Sequence, residues 1–253
     1  MKKSATLSIG TSGWHYPDWR ETFYPKEVTG YKELGFYAQH YNSVENNASF
    51  YRVSKESTYC TWARMVPEGF KFCLKLNRII THTHRLNLTE ETIERTRYIL
   101  TSTQVLGKKL GAFVIQLPAS FKPNHERLDG FLAFMRSEID VLLYPPDLAI
   151  EFRADAWFTE DTYELLRSRR VALVTAQSSR YPEHREITAD IAYFRFHGPK
   201  ELFASGYSDQ ELSEWAEVIR AAAKRCERVY VYFNNDINGH ALRNANTLKN
   251  LLV

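Results

Sequence analysis

At 253 residues, with 44% hydrophobic and 25% charged side chains, the chain has the make-up of a globular protein able to bury a large core. A formal net charge of +3 falls short of the strongly basic balance that alone marks a nucleic-acid binder, and no stretch approaches the roughly 18 apolar residues of a membrane span. Three cysteines without a C-x-x-C pair are expected to be reduced thiols, and the opening MKKSATLSIGTSG lacks the apolar run of a secretory signal, so a cytoplasmic location is expected.

From the N-terminus, short alternating or apolar runs recur, separated by helical patterns. Strands are predicted at 6–11, 43–47, 70–76, 111–117, 148–153, 171–176, 191–197 and 229–234. Helices are predicted near 30–41, 54–65, 89–107, 124–139, 159–169, 208–226 and 240–252. Thr89 before two glutamates, Asn124 after Pro123, and Thr159 before Glu160 and Asp161 are start signals. Ser208 with Glu211 three residues on fits a capping box. Segment 178–190, with a proline and many charges, makes the sixth unit irregular and is expected to be a loop with only a helical turn. Eight strands, nearly each followed by a helix, predict an α/β chain folded as one (β/α)8 TIM-barrel-like domain over 1–253. An open doubly wound sheet finds no support in any G-x-G-x-x-G or P-loop run.

The period-2 rule then sorts side chains between the two faces of each strand. If Leu148, Ile150 and Phe152 face the helices, Glu151 and Arg153 face inward. The same rule turns inward Lys71, Cys73 and Lys75; Gln116; Tyr193, Arg195 and His197; and Tyr230, Tyr232 and Asn234. Val44 outward puts Ser43, Glu45 and Asn47 inside. Asn47, Lys75, Gln116, Glu151, Arg153, Arg195, His197 and Asn234 therefore converge at the C-terminal strand ends, where barrels carry their active sites. Three cations facing two carboxylates leave positive charge that a bound anion would complete.

Motifs in chain order carry a family resemblance. They are IGTSGWHYPDWRETFYP (9–25), YNSVENNASFYR (41–52), FKFCLKLNRIITH (70–82), VIQLPASF (114–121), AIEFRADAWF (149–158), YFRFHG (193–198) and VYVYFNNDINGHALRNANTL (229–248). Through them the chain resembles the domain of unknown function 72, or YecE-like, family, nearly end to end. The resemblance implies a TIM-barrel-like fold and leaves the reaction open. Three positions depart from the family pattern: Ala154 where a histidine is common, Gln177 where an aspartate is common, and Asn46 where an isoleucine is expected.

Glu151 and His197 are the candidate acid–base pair, since a carboxylate can be tuned by burial and imidazole titrates near neutrality. The competing reading of each is structural: an ion pair for Glu151, a wall hydrogen bond for His197. Lys75, Arg153 and Arg195 are expected to hold phosphate or carboxylate, with Asn47, Gln116, Asn234 and Asn235 orienting the ligand. Trp14, Tyr16, Trp19, Phe50, Tyr51 and Trp157 are available for stacking on a sugar or base, or for packing loops over the barrel. A metal is not expected, and no cofactor is. His82 and His84 lack further ligands at zinc spacing, and the inward cations would repel a divalent ion held by Glu45, Glu151, His197 and Asp236.

The expected function is an enzyme, a hydrolase or lyase, taking a small anionic substrate that is phosphorylated or sugar-containing. Two other classes stay open. One is a nucleic-acid-binding or phosphodiester-processing barrel using Arg78, Arg85, Arg180, Arg185 and Lys200 on the rim. The other is a non-catalytic ligand- or partner-binding module, to which Ala154 and Gln177 point. No membrane partner is expected, and the oligomeric state is not legible.

Overall fold

The alternation resolves into β1 (Thr6–Thr11), β2 (Ser43–Asn46), β3 (Lys71–Lys75), β4 (Leu110–Gln116), β5 (Asp147–Glu151), β6 (Ala172–Gln177), β7 (Ile191–Phe196) and β8 (Arg228–Phe233) in a computed structural model that describes residues 4–252. Residues 1–3, part of the basic start read in the sequence, lie outside the described residues. The strands form one parallel sheet in the order β1-β8-β7-β6-β5-β4-β3-β2, with its ends meeting at an isolated parallel bridge between Ser12 and Glu45. This is the TIM-barrel arrangement. Its α-helices are α1 (Lys32–His40), α2 (Ala48–Tyr51), α3 (Glu56–Met65), α4 (Glu90–Thr103), α5 (His125–Ile139), α6 (Glu160–Ser168), α7 (Asp209–Arg225) and α8 (His240–Leu252).

The helix starts follow the local chemistry. Asn124 accepts from Arg127 N–H at 2.9 Å, Thr159 caps Thr162, and Ser208 with Glu211 closes a capping box. Thr89 makes its box with Thr92. Segment 178–190 is a loop, as expected, but carries no helical turn. Beside short 3-10 turns at Pro17–Trp19, Asp155–Trp157 and Ile237–Gly239, the structure adds the single-turn α2 and a π-helical turn at Ile79–Thr83 to the predicted elements. Both lie just past strand ends, where one turn is too short to show a helical period.

The closure between β1 and β2 uses side chains in place of most ladder bonds. Asn42 acts as a substitute peptide, accepting from Ile9 N–H at 2.9 Å and donating to the Leu7 carbonyl at 2.8 Å. The Tyr37 hydroxyl accepts from Thr11 N–H at 2.9 Å and donates to the Ser43 carbonyl at 3.1 Å. Gly10 lies where the strands come closest; a Cβ there would stand 2.0 Å from the Ser43 carbonyl oxygen.

Two cores result. Between sheet and helices lie Val44, Phe72, Leu74, Phe113, Ile115, Leu148, Ile150, Val229 and Val231, the outward residues of the alternation. Inside the barrel, Cys73, Ala112, Val114, Ala149, Ala172 and Val174 pack around Tyr193, Tyr230 and Tyr232. Small residues on β4 to β6 make room for the tyrosines of β7 and β8. Each buried phenol keeps a partner: Tyr193 donates to Glu45 (2.7 Å), Tyr230 to Asp147 (2.8 Å) and Tyr232 to the Cys73 Sγ (3.1 Å).

Candidate functional site

Above the tyrosine layer, the last inward residues of β2, β5 and β7 meet. Arg195 of β7, 1% exposed, lies between Glu45 and Glu151, both fully buried. Its Nη2 donates to Glu45 Oε1 at 2.7 Å and its Nε to Glu45 Oε2 at 2.9 Å, while Nη1 donates to Glu151 Oε2. Ser12 Oγ (2.8 Å) and the Tyr193 hydroxyl (2.7 Å) complete the shell of Glu45. Arg153 Nε donates to the remaining oxygen of Glu151 at 2.8 Å.

Burial alone would raise both carboxyl pKa values, but the Arg195 guanidinium outweighs it and holds Glu45 below its ordinary value. Glu151 gains from Arg195 and Arg153 and lies well below the carboxylate range. Glu151, expected to exchange protons, is therefore a fixed negative charge in a buried ion-pair array. Arg195, expected to hold ligand, is likewise committed beneath the mouth: Nε, Nη1 and Nη2 all donate to carboxylates. The cation between the two carboxylates is thus a guanidinium, at the centre of the set considered for a metal.

His197 is fully buried just past β7. Asn234 Nδ2 donates to its Nδ1 at 3.1 Å, which leaves the proton of the neutral ring on Nε2. That Nε2 is 3.8 Å from Glu151 Oε2, beyond hydrogen-bonding distance, and has no hydrogen-bond partner among the described residues. Burial, supported by Arg195, lowers the pKa of His197 against the pull of Glu151, so the ring stays neutral.

Lys75 closes β3 under a wall built by the β2–α2 connection. Asn46 Oδ1 accepts from Ser49 N–H at 3.0 Å, Ser49 Oγ donates to the Lys75 carbonyl at 2.7 Å, and Asn77 Nδ2 donates to the Ser49 and Phe50 carbonyls. The departure at Asn46 thereby acquires a structural role. These bonds set the Phe50 ring 4.0 Å from Lys75 Nζ. His82, carried by the π-helical turn, meets the Phe50 ring edge-on at 4.8 Å and stands 3.4 Å from Gln116 Nε2. Among the described residues Lys75 has no carboxylate partner within 4.0 Å and no hydrogen bond from Nζ. Burial lowers its pKa to about 7, aided by Arg195 and Arg153 and opposed by Glu151 and Glu45. The same cause, reinforced by Lys75, brings His82 to about 4.

Arg153 lies two residues past the end of β5, with its side chain 15% exposed. Its guanidinium stacks on Tyr181 at 4.1 Å and pairs with Glu151 through Nε, leaving both terminal nitrogens without a partner among the described residues. Asn47 has a buried Oδ1 with no hydrogen-bond partner among the described residues. Asn235, expected to orient a ligand, turns away instead: its Nδ2 donates to the Ser205 carbonyl (2.9 Å) and to Asn244 (3.0 Å). Trp14 packs edge-on against Trp62 of α3 at 5.0 Å, and Tyr16 donates to the Ser12 carbonyl while leaning on Trp19 at 4.6 Å. Both serve loop packing over β1.

Asp236, weighed in the sequence only as a metal ligand, is the carboxylate past β8 that titrates near neutrality. Burial, with Asp18 nearby, raises it to about 6. Its parity with Asn234 was the available signal. Gln177 accepts from the Tyr207 hydroxyl, and Ala154 begins the turn before Trp157 and offers no polar side chain. His84 pairs with Glu91 of α4 at 3.0 Å, apart from His82. On the rim, Arg185 is occupied by Glu183 (2.6 Å) and by the Trp215 face (4.4 Å). No helix among the described residues is long and apolar enough to cross a membrane.

The family model described as "Protein of unknown function DUF72" matches residues 8–253. The UPF0759 protein YunF of Bacillus subtilis (strain 168) is 25% identical over 275 residues, covering 97% of this chain and 94% of its own. The UPF0759 protein YecE of Escherichia coli (strain K12) is 30% identical over 118 residues, 47% of this chain and 40% of its own. A crystal structure of a DUF72 family protein from Thermotoga maritima superposes with a TM-score of 0.83 at 29% identity, covering 98% of this chain and 99% of that one.

Proposed function

Since the chain belongs to the DUF72 family, whose description assigns no reaction, we propose a function from the barrel mouth itself. It is an enzyme that binds a small anionic substrate, phosphorylated or sugar-containing, and performs acid–base chemistry on it. One observation carries this reading. Glu45 and Glu151 are both engaged by Arg195, with Arg153 also on Glu151, so Lys75 supplies charge with no carboxylate assigned to it. An anion at the terminal nitrogens of Arg153 and the amine of Lys75 would complete that balance.

The neutral His197 Nε2–H and the Asn47 Oδ1 offer an unsatisfied donor and acceptor to substrate hydroxyls. Lys75, near 7, is the group at the mouth suited to exchange protons at neutral pH. Glu151 acts through Arg153, which it orients.

Titration calorimetry with inorganic phosphate, then with phosphorylated and carboxylate sugars, tests the proposal. Saturable binding that weakens about tenfold or more in Arg153→Gln is expected, the loss of one charge-assisted contact. Binding indifferent to Arg153→Gln would refute the site. An oligonucleotide that binds at low salt and displaces phosphate would favour the nucleic-acid reading.

A further inference from the structure

We infer that Lys75 is a covalent nucleophile, whose amine condenses with the carbonyl carbon of an anionic keto or aldehyde substrate to form an imine. The inference rests on the anion-binding reading above and names the substrate class: small oxo-acids or phosphorylated carbonyl compounds.

The environment of the amine carries it. A lysine kept for charge balance is met by a carboxylate, as Lys109 meets Glu68 at 3.2 Å. Among the described residues Lys75 instead has no carboxylate within 4.0 Å and no hydrogen bond from Nζ, in a barrel that already holds Arg195 and Arg153. The Phe50 ring, 4.0 Å away, covers the amine, although its face favours the charged form. Desolvation and neighbouring cations are the two conditions that favour the neutral, nucleophilic amine over ammonium. Its pKa of about 7 agrees with both. The rigid mounting suits covalent chemistry too, because Ser49 Oγ fixes the Lys75 carbonyl and Asn77 fixes the turn bearing Phe50. Arg153, with its terminal nitrogens open, would hold the substrate's carboxylate or phosphate while its carbonyl faces Nζ.

The step balances without any further reactant. The nitrogen lone pair forms the N–C bond as the C=O π pair moves to oxygen. The nitrogen gives up its two protons to that oxygen, which leaves as water with the C–O bonding pair, and the nitrogen lone pair closes the C=N bond. Imine formation withdraws electrons from the adjacent carbon, which assists proton loss, C–C cleavage or decarboxylation there.

Reductive trapping on the full chain tests it. The protein is incubated at about pH 7 with sodium cyanoborohydride and either pyruvate or acetone, then digested and mapped by mass spectrometry. An ordinary lysine is only about one part in 3,000 unprotonated at that pH, so Lys75 should be labelled by pyruvate on the order of 100-fold faster than exposed lysines. The label should vanish from that peptide in Lys75→Arg, and Arg153→Gln should slow pyruvate labelling about tenfold while sparing acetone labelling. Labelling of Lys75 no faster than that of Lys55 or Lys122 overturns the inference. If phosphate binding persists in that case, the anion site survives without its covalent lysine. If acetone and pyruvate label Lys75 equally and Arg153→Gln changes neither, the covalent lysine stands and the anion site falls.

Discussion

Replacing Arg195 with methionine removes the cation that joins β7 to β2 and β5 while keeping much of the side-chain volume. In the native chain its Nε and Nη2 hold Glu45 at 2.9 and 2.7 Å, and Nη1 holds Glu151. Glu151 would keep Arg153, but Glu45 would keep only the hydroxyls of Ser12 and Tyr193. Breaking a buried pair by deleting one partner costs about 3–5 kcal/mol, because the survivor stays desolvated and unpaired. For a chain of this length that corresponds to a fall in Tm on the order of 10 °C. The loss should depend on pH in a defined sense. The native carboxylates have lowered pKa values, so their contribution is present above the unfolded carboxylate pKa and is lost as pH falls through the folded values. In Arg195→Met, burial unopposed by Arg195 raises Glu45, and its penalty fades as pH approaches about 4.3, where it can protonate. Urea denaturation of both proteins at about pH 7.5 and about pH 5 should show the larger difference at the higher pH, and Glu45→Gln should restore part of the loss. A difference under about 1 kcal/mol, or one equal at both pH values, would refute the assignment of Arg195 as the keystone of the array.

Three further outcomes follow from the same geometry. Gly10→Ala drives a Cβ to 2.0 Å from the Ser43 carbonyl and should cost about 1–3 kcal/mol by forcing the β1–β2 closure apart, read as a lower Tm. Lys75→Met should raise Tm below pH 7, where the native amine is charged against burial and against Arg195 and Arg153. The gain should shrink between pH 7 and 10.5 as the unfolded lysine also loses its proton, and a gain that grows over that range would contradict the lowered pKa. Asp236 is raised by burial and by Asp18 from 3.8 to about 6, so its charged form destabilises the fold as pH rises through that window. Asp236→Asn should therefore stabilise above about pH 6 and have little effect near pH 3.8, which a pair of thermal melts would check.

How much could be read without the fold differs by the range of the interaction. Strand positions and the face of each side chain depend on φ and ψ of adjacent residues and on a period of two. Tyr193, Arg195, Tyr230, Tyr232, Glu45 and Glu151 were therefore assigned to the barrel interior from the sequence alone, as were the helix caps at Asn124, Thr159 and Ser208. The stacking of Phe50 on Lys75 was not legible, because it needs a single-turn helix and the hydrogen bonds from Asn46 and Asn77 that hold it. Nor was the departure of Asn235, which obeys the outward parity of β8 and finds Asn244 of the last helix.

The opening count of charges, three cations against two carboxylates, survives in the folded chain, but the division of labour among them belongs to tertiary structure. Arg195 and Glu45 are separated by 150 residues, and only the closure of the barrel brings a guanidinium of β7 within 2.7 Å of a carboxylate of β2. Once paired, they become a fixed support. Lys75, which among the described residues has no carboxylate within 4.0 Å, and Asp236, which burial raises, are left titrating nearer neutrality. Local periodicity determines which way a side chain points. What it meets there, and therefore its charge state, is decided by strands brought together from across the whole chain.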